Sequence, residues 1–119
     1  MGQEEQLASL TQELRRGTLV LCVLSQLEWP MYGYSLVGVL TEKGIPVEAN
    51  TLYPLLRRLE GQGLLCSEWE TGGSKPRKYY RVTPEGRALC AQLRAAWMET
   101  VESVQRALDS QWEGKTDEQ

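Results

Sequence analysis

The sequence predicts a mainly α protein with one small β-hairpin, an α+β chain in which helices carry most of the mass. Three observations predict it. Apolar residues mark helical faces along residues 5–14, 32–43, 48–62 and 84–112, and residues 15–27 are apolar nearly all round. Residues 64–70 and 78–83 are short runs rich in Leu, Trp, Tyr and Val, separated by the turn-forming TGGSKPR, which marks a hairpin. The 119 residues, 41% hydrophobic and 24% charged, suit one globular domain with a modest core.

Each element has its own signal. Leu7, Leu10 and Leu14 share one helical face, and TLVLCVLSQL is apolar nearly all round, as in a helix buried on several sides. Gly17 lies between them, so this stretch is one long helix or two abutting ones, ending at Glu28-Trp29-Pro30. The next helix runs from about Tyr32 to Lys43, with Leu36, Val39 and Leu40 inward and Gly44 as its stop. After the link Ile45-Pro46-Val47, residues 48–62 place Leu52, Leu55, Leu56 and Leu59 on one face. Pro54 falls near the start of that helix and implies a local distortion, and Gly61 and Gly63 close it. In the second hairpin strand Tyr80 and Val82 share one face, with Tyr80 expected in the core and Tyr79 half-exposed; the parity of the first strand stays open. Thr83-Pro84-Glu85-Gly86 is a helix start, with Thr as N-cap and Pro at the first helical position. Leu89, Leu93, Trp97, Val101, Val104, Leu108 and Trp112 then recur every three or four residues. A helix of about 28 residues would be about 42 Å long, more than the rest of the chain can cover, so its distal half requires another partner.

Composition narrows the function. With 13 Lys+Arg against 16 Asp+Glu the net charge is -3, which argues against a generic polyanion binder. The chain has no histidine, the commonest general base and metal ligand. Cys22, Cys66 and Cys90 are far apart and lack metal-site spacing, so they read as packing residues in a reducing compartment. No nucleophile has a visible base partner and no glycine loop suits phosphate, so neither an enzyme nor a cofactor or metal site is expected. No apolar run approaches the roughly 18 residues of a membrane span, and MGQEEQLASL lacks the features of a secretory signal. The expected location is cytoplasmic.

Three helices followed by a hairpin is the order of a winged helix-turn-helix, in which the third helix enters the DNA major groove and the hairpin is the wing. The segments NTLYPLLRRLEGQGLL, RKYYRVTPEG and YGYSL resemble the PadR family of bacterial transcriptional regulators, over about residues 13 to 108. A single C-terminal helix, with no second helical domain, resembles the family's small subclass. The resemblance implies a homodimer in which the first and last helices of each chain pack against those of its mate. The domain plan is then a helical extension over 1–14 making a dimer contact, a winged-helix DNA-binding unit over 15–83, a long dimerisation helix over 84–112 and a flexible tail over 113–119. Leu7, Leu10, Leu14, Val101, Val104 and Leu108 are the expected dimer residues.

The side of the third helix opposite its leucines holds Asn50, Pro54 and Arg57, with Thr51, Tyr53 and Arg58 on its shoulders, where Arg58 could pair with an acid instead. Asn reads adenine and Arg reads guanine bidentately, and Thr or Tyr bonds phosphate or meets a thymine methyl. A solvated polar face is the competing reading, and the basic character of this one, with Tyr53 exposed near the helix N-terminus, favours DNA. Lys75, Arg77 and Lys78, with Arg81 just inside the strand, form a basic wing suited to phosphate or the minor groove. Trp97 matches in position a tryptophan on which planar ligands stack in small multidrug-responsive regulators of this kind; an interface core residue is the equal alternative. The function expected is a dimeric, sequence-specific repressor that binds a palindromic operator in double-stranded DNA and is released by a small planar or phenolic effector. The alternative is a winged-helix protein-binding adaptor, which should carry acids or apolar residues where this chain carries Asn50, Tyr53, Arg57 and the basic wing.

Overall fold

The computed structural model describes residues 2–117, with side chains described up to residue 110. Five helices and three short strands follow in the order α1 (Gln3–Arg16), α2 (Leu19–Gln26), β1 (Met31–Tyr32), α3 (Gly33–Glu42), α4 (Ala49–Gly61), β2 (Leu65–Glu70), β3 (Arg77–Val82) and α5 (Pro84–Asp117). The opening stretch is two helices that meet at Gly17 and Thr18. The hairpin is joined by a third strand, making an antiparallel sheet in the order β1-β3-β2. Met31 and Tyr32 pair with Tyr80 and Tyr79, so the chain is already extended at Tyr32 and the helix begins one residue later than expected. Pairing with β3 holds Tyr32 extended at φ -68° and ψ 144°, so it stands outside α3 as its N-cap.

The core is built by α2, α3, α4 and one face of the sheet. Val23, Leu24, Leu27, Leu36, Leu40, Leu52, Leu56, Leu59, Leu65, Tyr80 and Val82 are buried together. Gly44 and Gly63 end α3 and α4 in the left-handed conformation, at φ 87° and 80°. After each, an apolar residue turns back to the helix: the Ile45 N–H donates to Leu40 O at 2.8 Å and the Leu64 N–H to Leu59 O at 2.9 Å, the Schellman arrangement. The helix α4 continues through Pro54. The missing N–H leaves the carbonyl of Asn50 without its i+4 donor on the exposed side of the helix.

Thr83 joins the wing to α5. Its Oγ1 accepts from the Gly86 N–H at 2.9 Å and donates to Gly63 O at 2.7 Å. Arg87 and Glu28 add an ion pair at 3.0 Å between α5 and the end of α2. Cys90 and Leu93 still pack, half-buried, against the core, and beyond them α5 leaves it. Leu89, Trp97, Met98, Val101, Val104 and Leu108 are exposed, and α1 buries none of its residues. The radius of gyration is 18.6 Å and the longest extent 71 Å, against about 13.5 Å expected for a compact domain of this length. The helix α5 runs to Asp117, past the end expected at 112 and into the tail expected over 113–119; the side chains of Trp112 and beyond lie outside the described ones.

Candidate nucleic-acid interface

The exposed side of α4 follows from its amphipathic pattern. With Leu52, Leu56 and Leu59 buried, Asn50, Thr51, Pro54, Arg57 and Arg58 face solvent. Arg58 makes no ion pair among the described residues. Tyr53 differs from the sequence expectation: it is half-buried. Its ring lies against Gly33, where a Cβ would come within 2.7 Å of Cε1. The glycine at the start of α3 thus makes the space that seats the Tyr53 ring, leaving only part of it accessible beside Asn50 and Arg57.

The wing carries Lys75 and Arg77 exposed at its tip and Arg81 exposed in β3. Register sets what stands beside them: Glu70 is opposite Arg77, Glu68 opposite Tyr79 and Trp69 opposite Lys78. The basic strand therefore lies alongside acids of β2. Each acid is engaged by a tyrosine: Tyr32 donates its hydroxyl to Glu70, and Tyr79 donates to Glu68 at 2.8 Å. Donation to a carboxylate stabilises the protonated phenol, so both tyrosines are held above the ordinary phenol range. The two rings meet edge to face at 6.1 Å, and the Arg77 guanidinium stands 5.2 Å from the Tyr32 centroid. These contacts link β1, β2 and β3 across one face of the wing.

Lys78 stands apart from the other wing cations. It is half-buried and 3.5 Å from Glu60 of α4. Glu60, Ser67 and Tyr32, which shape this region, escaped the sequence reading because their partners are set by tertiary proximity and strand register. Trp97 lies on α5 with 46% of its surface exposed. A cleft of about 960 Å³ opens between α1 and the link before α4, lined by Leu7, Arg15, Ile45, Pro46, Val47 and Thr51 among others; Trp97 does not line it. The described residues hold no cluster of His, Cys, Asp or Glu suited to a metal, and no described helix is long and apolar enough to cross a membrane.

Comparison with known proteins agrees with this geometry. Residues 20–92 match the model of the transcriptional regulator PadR-like family. The chain is 40% identical over 74 residues to the transcriptional regulator Rv3488 of Mycobacterium tuberculosis, a match that spans 62% of this chain and 69% of that protein. It superposes on the crystal structure of a PadR family transcriptional regulator from Eggerthella lenta with a TM-score of 0.87 and 56% identity, covering 90% of this chain and 96% of the other. Bacillus subtilis PadR, solved in complex with operator DNA, shares the fold at a TM-score of 0.60 and 21% identity, over 64% of this chain and 45% of that one. Three core helices, a three-stranded wing sheet and a long final helix, together with the family match over residues 20–92, make this chain a member of the PadR-like family of transcriptional regulators and not an enzyme.

Proposed function

We propose that the chain is a homodimeric, sequence-specific DNA-binding repressor, released from a palindromic operator by a small planar or phenolic effector. The observation that carries the DNA reading is the exposed face of α4. Asn50, Thr51, Arg57 and Arg58 face solvent there, the one acid within α4 is engaged with the wing, and the wing adds Lys75, Arg77 and Arg81. Asn50, Thr51, Tyr53 and Arg57 read bases and adjacent phosphates, whereas Lys75 and Arg77 contact the neighbouring backbone. The use of this fold on operator DNA in the Bacillus subtilis relative supports the reading. An adaptor would not need this exposed basic set.

Two apolar stripes support the dimer. Leu7, Leu10 and Leu14 of α1 are 62–78% exposed, and Val101, Val104 and Leu108 of α5 are 43–54% exposed. Packing the two stripes across a two-fold axis covers both and sets the recognition helices about 34 Å apart, one turn of DNA. Trp97 then lies inside the dimer, where a planar ligand stacks on it. An effector that binds better to a dimer with wrongly spaced recognition helices lowers operator occupancy.

The test is an anisotropy titration with duplex from upstream of the chain's own gene and with random duplex at moderate salt. A preference on the order of 10³ or more is expected for a specific regulator, and equal affinity for the two duplexes overturns the reading. Sedimentation of the wild type and of Val104→Asp checks the dimer: a wild-type monomer, or a variant that still dimerises, counts against the α1–α5 seam.

A further inference from the structure

The middle of the wing is fastened to α4 through one carboxylate. Glu60, in the last turn of α4, accepts from Ser67 Oγ of β2 at 2.5 Å and lies 3.5 Å from Lys78 Nζ of β3. The Lys78 ammonium is also 5.8 Å from the centroid of Trp69 and 5.4 Å from that of Tyr80. A carboxylate and two ring faces thus surround this cation, and its side chain is 31% exposed. Two things follow. The carboxylate bonds to one strand of the wing and pairs with the other, and the cation it holds already has a partner.

We infer that Glu60 is a specificity-determining positioning residue, which sets the wing against the recognition helix and withholds Lys78 from sequence-independent phosphate contact. The inference rests on the DNA-binding reading above. A half-exposed ion pair contributes little to stability, so its effect is on geometry and on the number of free cations. Without the carboxylate, Lys78 becomes one more mobile phosphate contact on a loosened wing. Random DNA gains from this, and a site that requires helix and wing in register loses.

The experiment uses full-length wild type, Glu60→Gln, Ser67→Ala and the double variant Glu60→Gln with Lys78→Gln, titrated against upstream and random duplex over a salt series. Glu60→Gln should steepen the random-duplex slope of log K against log salt by about 0.9, the value of one further phosphate contact. It should also lower the ratio of upstream to random affinity about tenfold. The double variant should return the slope to the wild-type value, and Ser67→Ala should lower the ratio with no change in slope. An unchanged slope in Glu60→Gln, equal weakening on both duplexes, or a double variant that stays steep overturns the inference. Hydrogen exchange on DNA-free Glu60→Ala supplies a separate readout, in which the β2 and β3 amides should exchange about tenfold faster while α2 stays protected. Unchanged β2 and β3 protection removes the clamp. A wild type that fails to prefer the upstream duplex counts against the regulator reading, and the exchange result then still decides whether Glu60 fastens the wing.

Discussion

Substitution of Gly86 tests how α5 is seated on the wing. Gly86 lies in the first turn of α5, and a Cβ there would stand 2.1 Å from Leu64 O, 2.7 Å from Val82 Cγ2 and 3.0 Å from Leu64 C. Carbon atoms rest near 3.5 Å from such neighbours, so Gly86→Ala requires a displacement of roughly 1 Å between α5 and the start of β2. Two of these three contacts are with backbone, which cannot rotate away as a side-chain end can. The same displacement strains the bond from the Thr83 N–H to Leu64 O, now 3.1 Å. Overpacking of this kind costs about 3 kcal/mol at the upper end, offset by up to about 1 kcal/mol of helix propensity gained from alanine. A net loss of about 2 kcal/mol lowers the midpoint of thermal unfolding by on the order of 6–10 °C in a chain of this size. Gly38 is the matched control, helical in α3 and with nothing within 4 Å of where an added Cβ would stand. Gly38→Ala should raise stability by about 0.5–1 kcal/mol. Both variants are melted at one protomer concentration, since association moves the midpoint. A Gly86→Ala protein as stable as wild type would show that α5 does not seat on Leu64 as described.

Three further outcomes follow from the geometry. Thr83→Ala removes the acceptor for the Gly86 N–H and the donor to Gly63 O, and should cost about 1–2 kcal/mol in urea unfolding; a loss below a few tenths would mean that water replaces both bonds. Asn50→Ala should weaken upstream duplex and leave random duplex nearly unchanged, whereas Lys75→Ala with Arg77→Ala should weaken both and flatten the salt slope by about 1.8; identical profiles for the two variants would refute the division between base reading and backbone contact. Burial pushes the thiols of Cys22 and Cys90 above their ordinary range, so the thiolate fraction near pH 8 falls and alkylation should be slower than in urea. By linkage, the stability tied to these thiols is fully present below the unfolded thiol range and is lost as pH rises through the folded one; rapid alkylation of native protein at pH 8, followed by mass spectrometry, would contradict the burial.

The helices and the hairpin were legible in the sequence because each follows from local chemistry: apolar spacing, Gly44 and Gly63 as stops, and Thr83-Pro84 as a start. The first-strand parity was not, and the register explains why. Leu65, Ser67 and Trp69 share the inward side with Val82, Tyr80 and Lys78, so the middle position of the packed side is a serine, present there bonded to Glu60. A polar residue on the inward side hides the alternation that marks a strand. The strand β1 was missed for a different reason, since two residues are too few to carry any period. The half-burial of Tyr53 required knowing that Gly33, 20 positions earlier in the chain, leaves room for its ring. The exposed polar side of α4 was readable because it is the complement of its leucines. The pairing of Lys78 was not, because composition alone counts it with Lys75 and Arg77.

The same distinction bears on how a protein of net charge -3 works on DNA. Glu99 lies about 22 Å along α5 from its start and Asp109 about 37 Å, at 1.5 Å per residue. Screening acts over about 8 Å at physiological salt, so these acids scarcely reach the wing. The acids that matter are near ones. Glu70 is in register with Arg77, Glu68 with Tyr79 between Arg77 and Arg81, and Glu60 holds Lys78. Residues 68–83 therefore carry four cations against two acids, with one of the four paired to Glu60 of α4. On the proposed reading of α4, a wing charged this moderately adds little affinity for random sequence, and discrimination falls to Asn50, Thr51 and Arg57. On this argument the local acids lower affinity for random DNA and raise the share of binding that depends on sequence, so removing Glu68 or Glu70 should strengthen binding to random duplex and lower the upstream-to-random ratio, as removing Glu60 should.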